Sequence, residues 1–264
     1  MLRFYIEVAR TAYRRQLIYR WANLAGLFTN CFFCVILSSV MIALYHARPI
    51  TAGYSLRDAL SYTWAAQALI MTVLPFGWID LMLAIRSGEV VADLSKPCDF
   101  FLYWFSRELG RSVYYVLFRG LPIYAVGCLL FGLEIGANWL VWPAFLGCLI
   151  LGMMAGVVFR VLLNLVAFWI IEARAVVVLG ITLAQFLSGA YIPVVFFPAW
   201  LSSLASWLPF NGMMNAPTQV FLGKLSSQSL LFELVLQLGW LCLSILVVRH
   251  ITSIATRRVV VQGG

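Results

Sequence analysis

The chain has 264 residues, of which 63% are hydrophobic and 11% charged, and it carries a formal net charge of +8. Soluble domains hold about 25% charged residues, so a soluble domain of this composition could not cover its surface; the chain reads as an all-α, polytopic membrane protein. The positive charges flank apolar runs instead of gathering on a polar domain, which argues orientation in a membrane and no nucleic-acid partner.

The chain begins MLRFYIEVARTAYRRQLIYR. Arg3, Glu7, Arg10 and Arg14 recur at helical spacing on one face, and Leu2, Ile6, Ala9, Tyr13 and Leu17 on another. Residues 1–22 are therefore expected to form an amphipathic helix on the membrane surface, basic side to the lipid headgroups. The first apolar run, about 24–45, has no small-residue cleavage site after it and reads as a span rather than a signal peptide. Further runs at about 60–83, 112–133, 139–160 (or on to 171), 175–192 and 230–249 bring the expected transmembrane helices to six, a span needing roughly 20 apolar residues. Together they form one transmembrane domain over residues 1–264.

Two connecting segments stand out. The first, residues 86–101, contains SGEVVADLSKPCDFF, a compact charged element between two greasy runs. The second, residues 193–228, follows the fifth run. From Ala175 to Gly223 no residue is charged, yet prolines stand at Pro193, Pro198, Pro209 and Pro217. PAWLSSLASWLP is too short to cross a bilayer, and Trp200 and Trp207 would anchor it as a re-entrant hairpin in the outer leaflet.

Arginine and lysine set the orientation. Arg3, Arg10, Arg14, Arg15, Arg20, Arg86, Lys96, Arg107, Arg111, Arg174, Arg249, Arg257 and Arg258 fall on one side of the expected spans. Arg48, Arg57 and Lys224 fall on the other. Both termini are thus expected in the cytoplasm.

The residues offer little catalytic or metal chemistry. His46 and His250 should lie on opposite sides of the membrane, and no His-Glu-x-x-His pair exists. Ser188-Gly189 has no histidine at its depth to activate it. Neither lysine follows the glycine spacing of a phosphate loop. Cys31-x-x-Cys34 lacks a second ligand pair, and cysteine is a common small residue of apolar cores. No catalytic residue, bound cofactor or metal is expected in this chain.

Among ionisable groups of the spans, Asp80, Arg119 and Arg160 draw attention. Asp80 and Arg119 are expected to pair across the second and third spans, as a structural ion pair or a proton relay. Small and polar residues also recur: Asn23, Gly26 and Asn30 in the first span, Gly152 and Gly156 in the fourth, and Gly180, Ala184, Gln185 and Ser188 in the fifth. Such faces let helices approach closely, within the chain, at a dimer seam or along a conduit.

The order of these features resembles the ABC type 2 exporter permeases. Arg86-Ser87-Gly88-Glu89 leading to Leu94-x-Lys96-Pro97 is similar to that family's cytoplasmic segment. Gly189-x-x-x-Pro193, Phe197-Pro198 and Leu208-Pro209 are similar to its outer segment. The resemblance implies a coupling helix over Ser87–Ser95, with Ser87, Gly88, Glu89, Val90, Val91, Asp93 and Leu94 docking on a separate ABC ATPase subunit that holds ATP and Mg. Physically, Ser87 would cap the helix, Val90, Val91 and Leu94 would form a contact face, Glu89 and Asp93 would share a flank, and Pro97 would end it. The resemblance also implies a second permease, identical or divergent, a bacterial inner-membrane location, and export of a hydrophobic or amphipathic substrate. An ion-coupled secondary transporter, which would need a protonatable midplane group, and a non-transporting scaffold are the alternatives.

Overall fold

The computed structural model describes residues 1–47, 50, 52–136, 139–170 and 172–257. Arg48 and Arg258, used above for the charge asymmetry, lie outside the described residues. The described chain is helical, with no β-strand. Four helical stretches are long and apolar enough to cross a membrane: Arg20–Ala47, Phe100–Phe131, Val141–Phe168 and Ser227–Thr256.

The first helix, α1 (Leu2–Ile18), lies along α6 (Phe100–Tyr115). Gly110 permits the approach, because a Cβ there would overlap the Ala9 carbonyl. Tyr13 packs edge-on against Tyr114 with ring centroids 5.7 Å apart, and the Tyr5 hydroxyl accepts a hydrogen bond from the Asp99 amide at 3.0 Å. The apolar stripe is thereby divided. Ala9 and Tyr13 turn toward α6, while Leu2, Ile6 and Leu17 stay exposed. After α1 comes α2 (Arg20–Ala47), most of whose surface no other helix covers.

The helix at the second expected span, α3 (Leu56–Val73), starts at a capping box in which Ser55 and Asp58 satisfy each other's backbone amides. It is buried on nearly every side, so it forms the centre of the bundle. It ends at Val73, not near 83 as the apolar run suggests. Pro75 disfavours helical backbone in Leu74, which sits at φ −131° and ψ 56°. The chain then turns at Gly77 (φ 80°) and restarts as a separate short helix, α4 (Asp80–Ser87).

Following α5 (Val90–Leu94), α6 begins at Phe100, where the Asp99 carboxylate caps the Leu102 amide at 2.7 Å. This helix continues through a π-helical stretch, Val116–Gly120, into α7 (Leu121–Phe131). The third span thus starts well before the expected residue 112, and Arg107 and Arg111 belong to a helix rather than a loop. Next, α8 (Val141–Leu165) runs on through a 3-10 turn to Phe168, past the shorter of its two expected ends. In α8, Gly152 lies against the carbonyls of Gly212 and Met213, and Gly156 against that of Val73. The GxxxG face is therefore used inside the chain.

The fifth element, α9 (Ala173–Leu187), is only 15 residues long. It stops because Gly189 takes φ 80° while the Ala190 amide bonds back to the Gln185 carbonyl. Three short helices follow: α10 (Ala199–Trp207), α11 (Pro209–Met213) and α12 (Asn215–Phe221). Trp200 and Trp207 of α10 are exposed, whereas most of α11 and α12 is buried against α8. The last helix, α13 (Ser227–Thr256), packs along α8 and is longer at both ends than the expected 230–249.

Candidate functional site

At the end of the bundle where α1, α4 and α5 meet α6, an open groove of about 920 Å³ is lined by Arg15, Asp80, Arg86, Ser87, Glu89, Ala92, Asp93, Trp104 and Arg107, among others. The segment expected to be one helix from Ser87 to Ser95 forms the lip of this groove, but as two helices at an angle. Ser87 is the last residue of α4, and Gly88 adopts the left-handed conformation at φ 80°, ψ −6°. Glu89 stands at the start of α5. Ser87 therefore does not open the helix. Its hydroxyl donates to the Ala84 carbonyl and accepts from the Glu89 amide, both at 3.4 Å.

The expected apolar contact face is likewise redistributed. Val90 is buried in the core, because the turn at Gly88 rotates it inward. Val91 and Leu94 are half-buried, while Ser87, Gly88, Glu89 and Ala92 are exposed. Asp93 does not present a free carboxylate: the Lys96 ammonium donates to it at 2.6 Å and lies 4.1 Å from the Tyr103 ring centre. Burial alone would lower the Lys96 pKa, but these contacts outweigh it and hold the pKa above its ordinary value. Glu89 is the exposed acid of the lip.

Beneath the lip lies a buried charge network. Asp80, the first residue of α4, accepts from Arg107 at 2.9 Å and from Arg111. Asp80 and Arg119 do not pair, contrary to the sequence reading. Arg119 lies more than two turns beyond Arg111 and bonds to α2 instead. Arg111 continues to Glu108 at 3.1 Å, and Glu108 lies 3.7 Å from the Arg160 guanidinium of α8. Arg160 donates to the Val73 carbonyl and to Ser112 Oγ. The Trp78 ring lies between Arg160, at 4.7 Å, and Arg111, at 5.3 Å.

One more contact ties α8 to the lip. Helix α4 has no side-chain cap of its own; Asn164 of α8 accepts from the Met82 amide at 3.0 Å and donates to the Arg160 carbonyl at 2.8 Å. A first-turn amide of α4 is thus satisfied from another helix. Glu108 and Asn164 were not picked out in the sequence, and Arg111 was read only as one of the charges between the second and third spans. The Glu108–Arg111 spacing of three, inside a segment that can be helical, was the available signal.

The residues expected at a seam or conduit make contacts within the chain, Asn23, Gly26, Asn30 and Gly180 from half-buried positions. Asn23 Nδ2 donates to the Gln16 carbonyl and to the Tyr114 hydroxyl, both at 3.0 Å. Gly26 and Asn30 face Arg119, which donates to the Gly26 carbonyl at 2.7 Å and to Asn30 Oδ1 at 2.9 Å. Gly180 faces Leu163 of α8. Ala184, Gln185 and Ser188 are fully buried, with Gln185 donating to the Leu74 carbonyl at 2.6 Å. The uncovered side of α9 carries Val178, Leu179, Leu183 and Phe186.

A second polar cluster, missed in the sequence, sits near the opposite end. Asn211 donates to both carboxylate oxygens of Glu233 at 3.0 Å, and Asn215 links Asn211 to the Tyr62 hydroxyl. Glu233 lies six residues after Ser227, within the expected sixth span. Four-residue spacing of Asn211 and Asn215 marked one polar helix face.

Long apolar helices, a helix along the basic end and a buried ion network under an exposed turn define a helical membrane protein with one charged, grooved end. The chain belongs to the ABC-2 family transporter proteins, whose model matches residues 32–263. No curated protein matches the chain.

Proposed function

We propose that this chain is the permease subunit of an ATP-driven ABC exporter, with the groove lip from Ser87 to Ala92 facing the cytoplasm as the contact for a separate ATPase. The carrying observation is the linkage of the lip to the bundle: Asp80, at the head of α4, is held by Arg107 and Arg111 of α6, and Asn164 of α8 caps the same helix. A push on α4 and α5 is then felt by two long helices at once, which is what transmission of ATP-driven movement requires. The chain would span the bacterial inner membrane six times, with α3 and α9 as the two spans that helix length and polarity alone do not mark. The uncovered faces of α2 and α9 would meet a second permease, identical or divergent, and the α10–α12 segment would form the outer re-entrant hairpin. An amphipathic substrate suits the apolar composition of those faces.

Pull-down of the tagged chain from its native membrane tests this, with recovered proteins identified by peptide sequencing. A protein with an ATP-binding phosphate loop should copurify stoichiometrically. Glu89→Lys, which reverses the exposed acid of the lip, should lower its recovery at least tenfold, since like-charge juxtaposition at an interface costs several kcal/mol. Recovery of no such ATPase, or full recovery with Glu89→Lys, would remove the docking assignment.

The exposed residues of α1 support a role for it at the membrane interface. Ile6 is 55% exposed and Leu2 75%, and both leave the α6 contact. In intact membranes a cysteine at Ile6 should resist a water-soluble maleimide while one at Arg10 reacts; after extraction into mild detergent both should react. A cysteine at Ala12, buried against α6, should resist in both. Equal labelling of Ile6 and Arg10 in membranes would show that lipid does not cover α1.

A further inference from the structure

We infer that Arg119 and Asn30 form a binding site for the phosphate group of an amphipathic molecule held in the membrane. The inference rests on the membrane character of the chain and is independent of ATP-driven transport. Arg119 sits in the π-helical stretch Val116–Gly120; an extra residue in a helical turn re-aims side chains and recurs at functional sites. Its guanidinium lies across the backbone of α2 where Gly26 leaves room, and a Cβ on Gly26 would come within 2.5–2.8 Å of the guanidinium atoms.

All of its assigned partners are neutral: the Gly26 carbonyl, Asn30 Oδ1 and the Tyr115 ring at 5.8 Å. The other two buried arginines, Arg111 and Arg160, each have a carboxylate within ion-pair distance. Arg119 is 8% exposed and has none among the described residues. A charge taken out of water without a counter-charge is costly, and this one lies twelve residues before Phe131, about 18 Å along the helix, where the apolar layer is about 30 Å thick.

Two donors at this point lack an acceptor. Arg119 Nε and Asn30 Nδ2 are both buried and without a hydrogen-bond partner. Asn30 cannot relieve this by flipping, because its carbonyl must face the guanidinium and its amide group is then left as a buried donor. The adjacent Nη2 is already committed to Gly26 and Asn30. The Nε–Nη2 edge is therefore not free for a two-point grip on one group, and an anion such as a phosphate can place one oxygen on Nε and another on the Asn30 amide.

A second copy of the chain does not supply the missing charge. Glu7, Asp58, Asp80, Asp93, Glu108, Glu134 and Glu172 already pair with lysine or arginine, Asp99 caps the Leu102 amide, Glu89 belongs to the groove lip, and Glu233 lies toward the other end of the bundle. The anion must come from another molecule, and its depth requires that it arrive on an apolar tail.

The test uses the purified full chain in a neutral detergent and follows thermal unfolding by tryptophan fluorescence. Three probes are titrated: phosphatidylglycerol, diacylglycerol with the same acyl chains, and inorganic phosphate. Phosphatidylglycerol should raise the midpoint, and diacylglycerol should not. Arg119→Gln and Asn30→Ala should each need at least tenfold more phosphatidylglycerol for the same rise, and Arg119→Lys should retain part of it. Protection by the lipid alone would identify a membrane amphiphile; equal protection by inorganic phosphate would show a site reached from water and overturn the membrane source. Asn30→Ala leaves the Arg119–Gly26 bond in place, so it reports even where Arg119→Gln does not fold. Equal protection by diacylglycerol, or an undiminished response in both variants, would overturn the proposal.

Discussion

Arg160→Met should lower the stability of the folded chain by about 3–5 kcal/mol, the range for removing one member of a buried ion pair. Arg160 is 2% exposed and Glu108 6%. Without the guanidinium, the Val73 carbonyl and Ser112 Oγ lose its bonds, and Glu108 keeps only Arg111 as a close cation. The end of α3 would then be released from α8 just where Pro75 breaks the chain direction. The readout is the unfolding midpoint in detergent and the fraction recovered as a single species. Adding Glu108→Gln to Arg160→Met removes the stranded charge as well, so the double variant should be more stable than Arg160→Met alone. Arg111 retains Asp80 in that background. A midpoint unchanged by Arg160→Met, or a double variant less stable than the single, would mean that the network is screened by water rather than buried.

The spans were legible because an apolar run of sufficient length has few other readings: α2 and α13 contain the expected segments, and α8 covers all but the first two residues of the shorter one. Their ends were not, for reasons that differ by element. The second run looked continuous to residue 83, yet hydrophobicity does not register that Pro75 and Gly77 redirect the backbone. The third looked late because Arg107, Glu108 and Arg111 read as loop charges; helix α6 makes them internal by pairing them with Asp80 and Arg160. Gly88 shows the same limit on a smaller scale. Its neighbours suggested one helix from Ser87 to Ser95, but one residue at φ 80° turned Val90 into the core and left Glu89 on the lip. The Asp80–Arg119 pairing failed because two charges at similar depth need not share a helix face, and nearer arginines competed for Asp80. The polar residues of α2 stood out in the sequence as a set; their partners Tyr114 and Arg119 did not, because the contact depends on how α1 and α2 wrap the third long helix.

Gly88→Val should uncouple the lip while leaving the fold intact. At φ 80° and ψ −6° a β-branched residue is an outlier, with a cost of about 1–3 kcal/mol. A Cβ on Gly88 would meet no atom within 4 Å, so the substitution acts through backbone strain and not through a clash. The turn is exposed, and the strain is relieved most easily by returning φ to negative values. That rotation swings Glu89 and α5 away from their present angle to α4. Asp80 and Asn164 would still hold the start of α4, so the unfolding midpoint should move by only a few degrees. Recovery of the ATPase with the tagged chain, and ATP hydrolysis by the recovered complex, should both fall about tenfold, the effect of roughly 1.4 kcal/mol. Gly88→Asn, whose side chain tolerates the left-handed region, should stay near the unmodified level in both measurements. If Gly88→Val and Gly88→Asn proved equal in ATPase recovery and hydrolysis, the angle between α4 and α5 would play no part in docking, and the contact would have to be sought elsewhere along the groove, at Arg15 or Arg86.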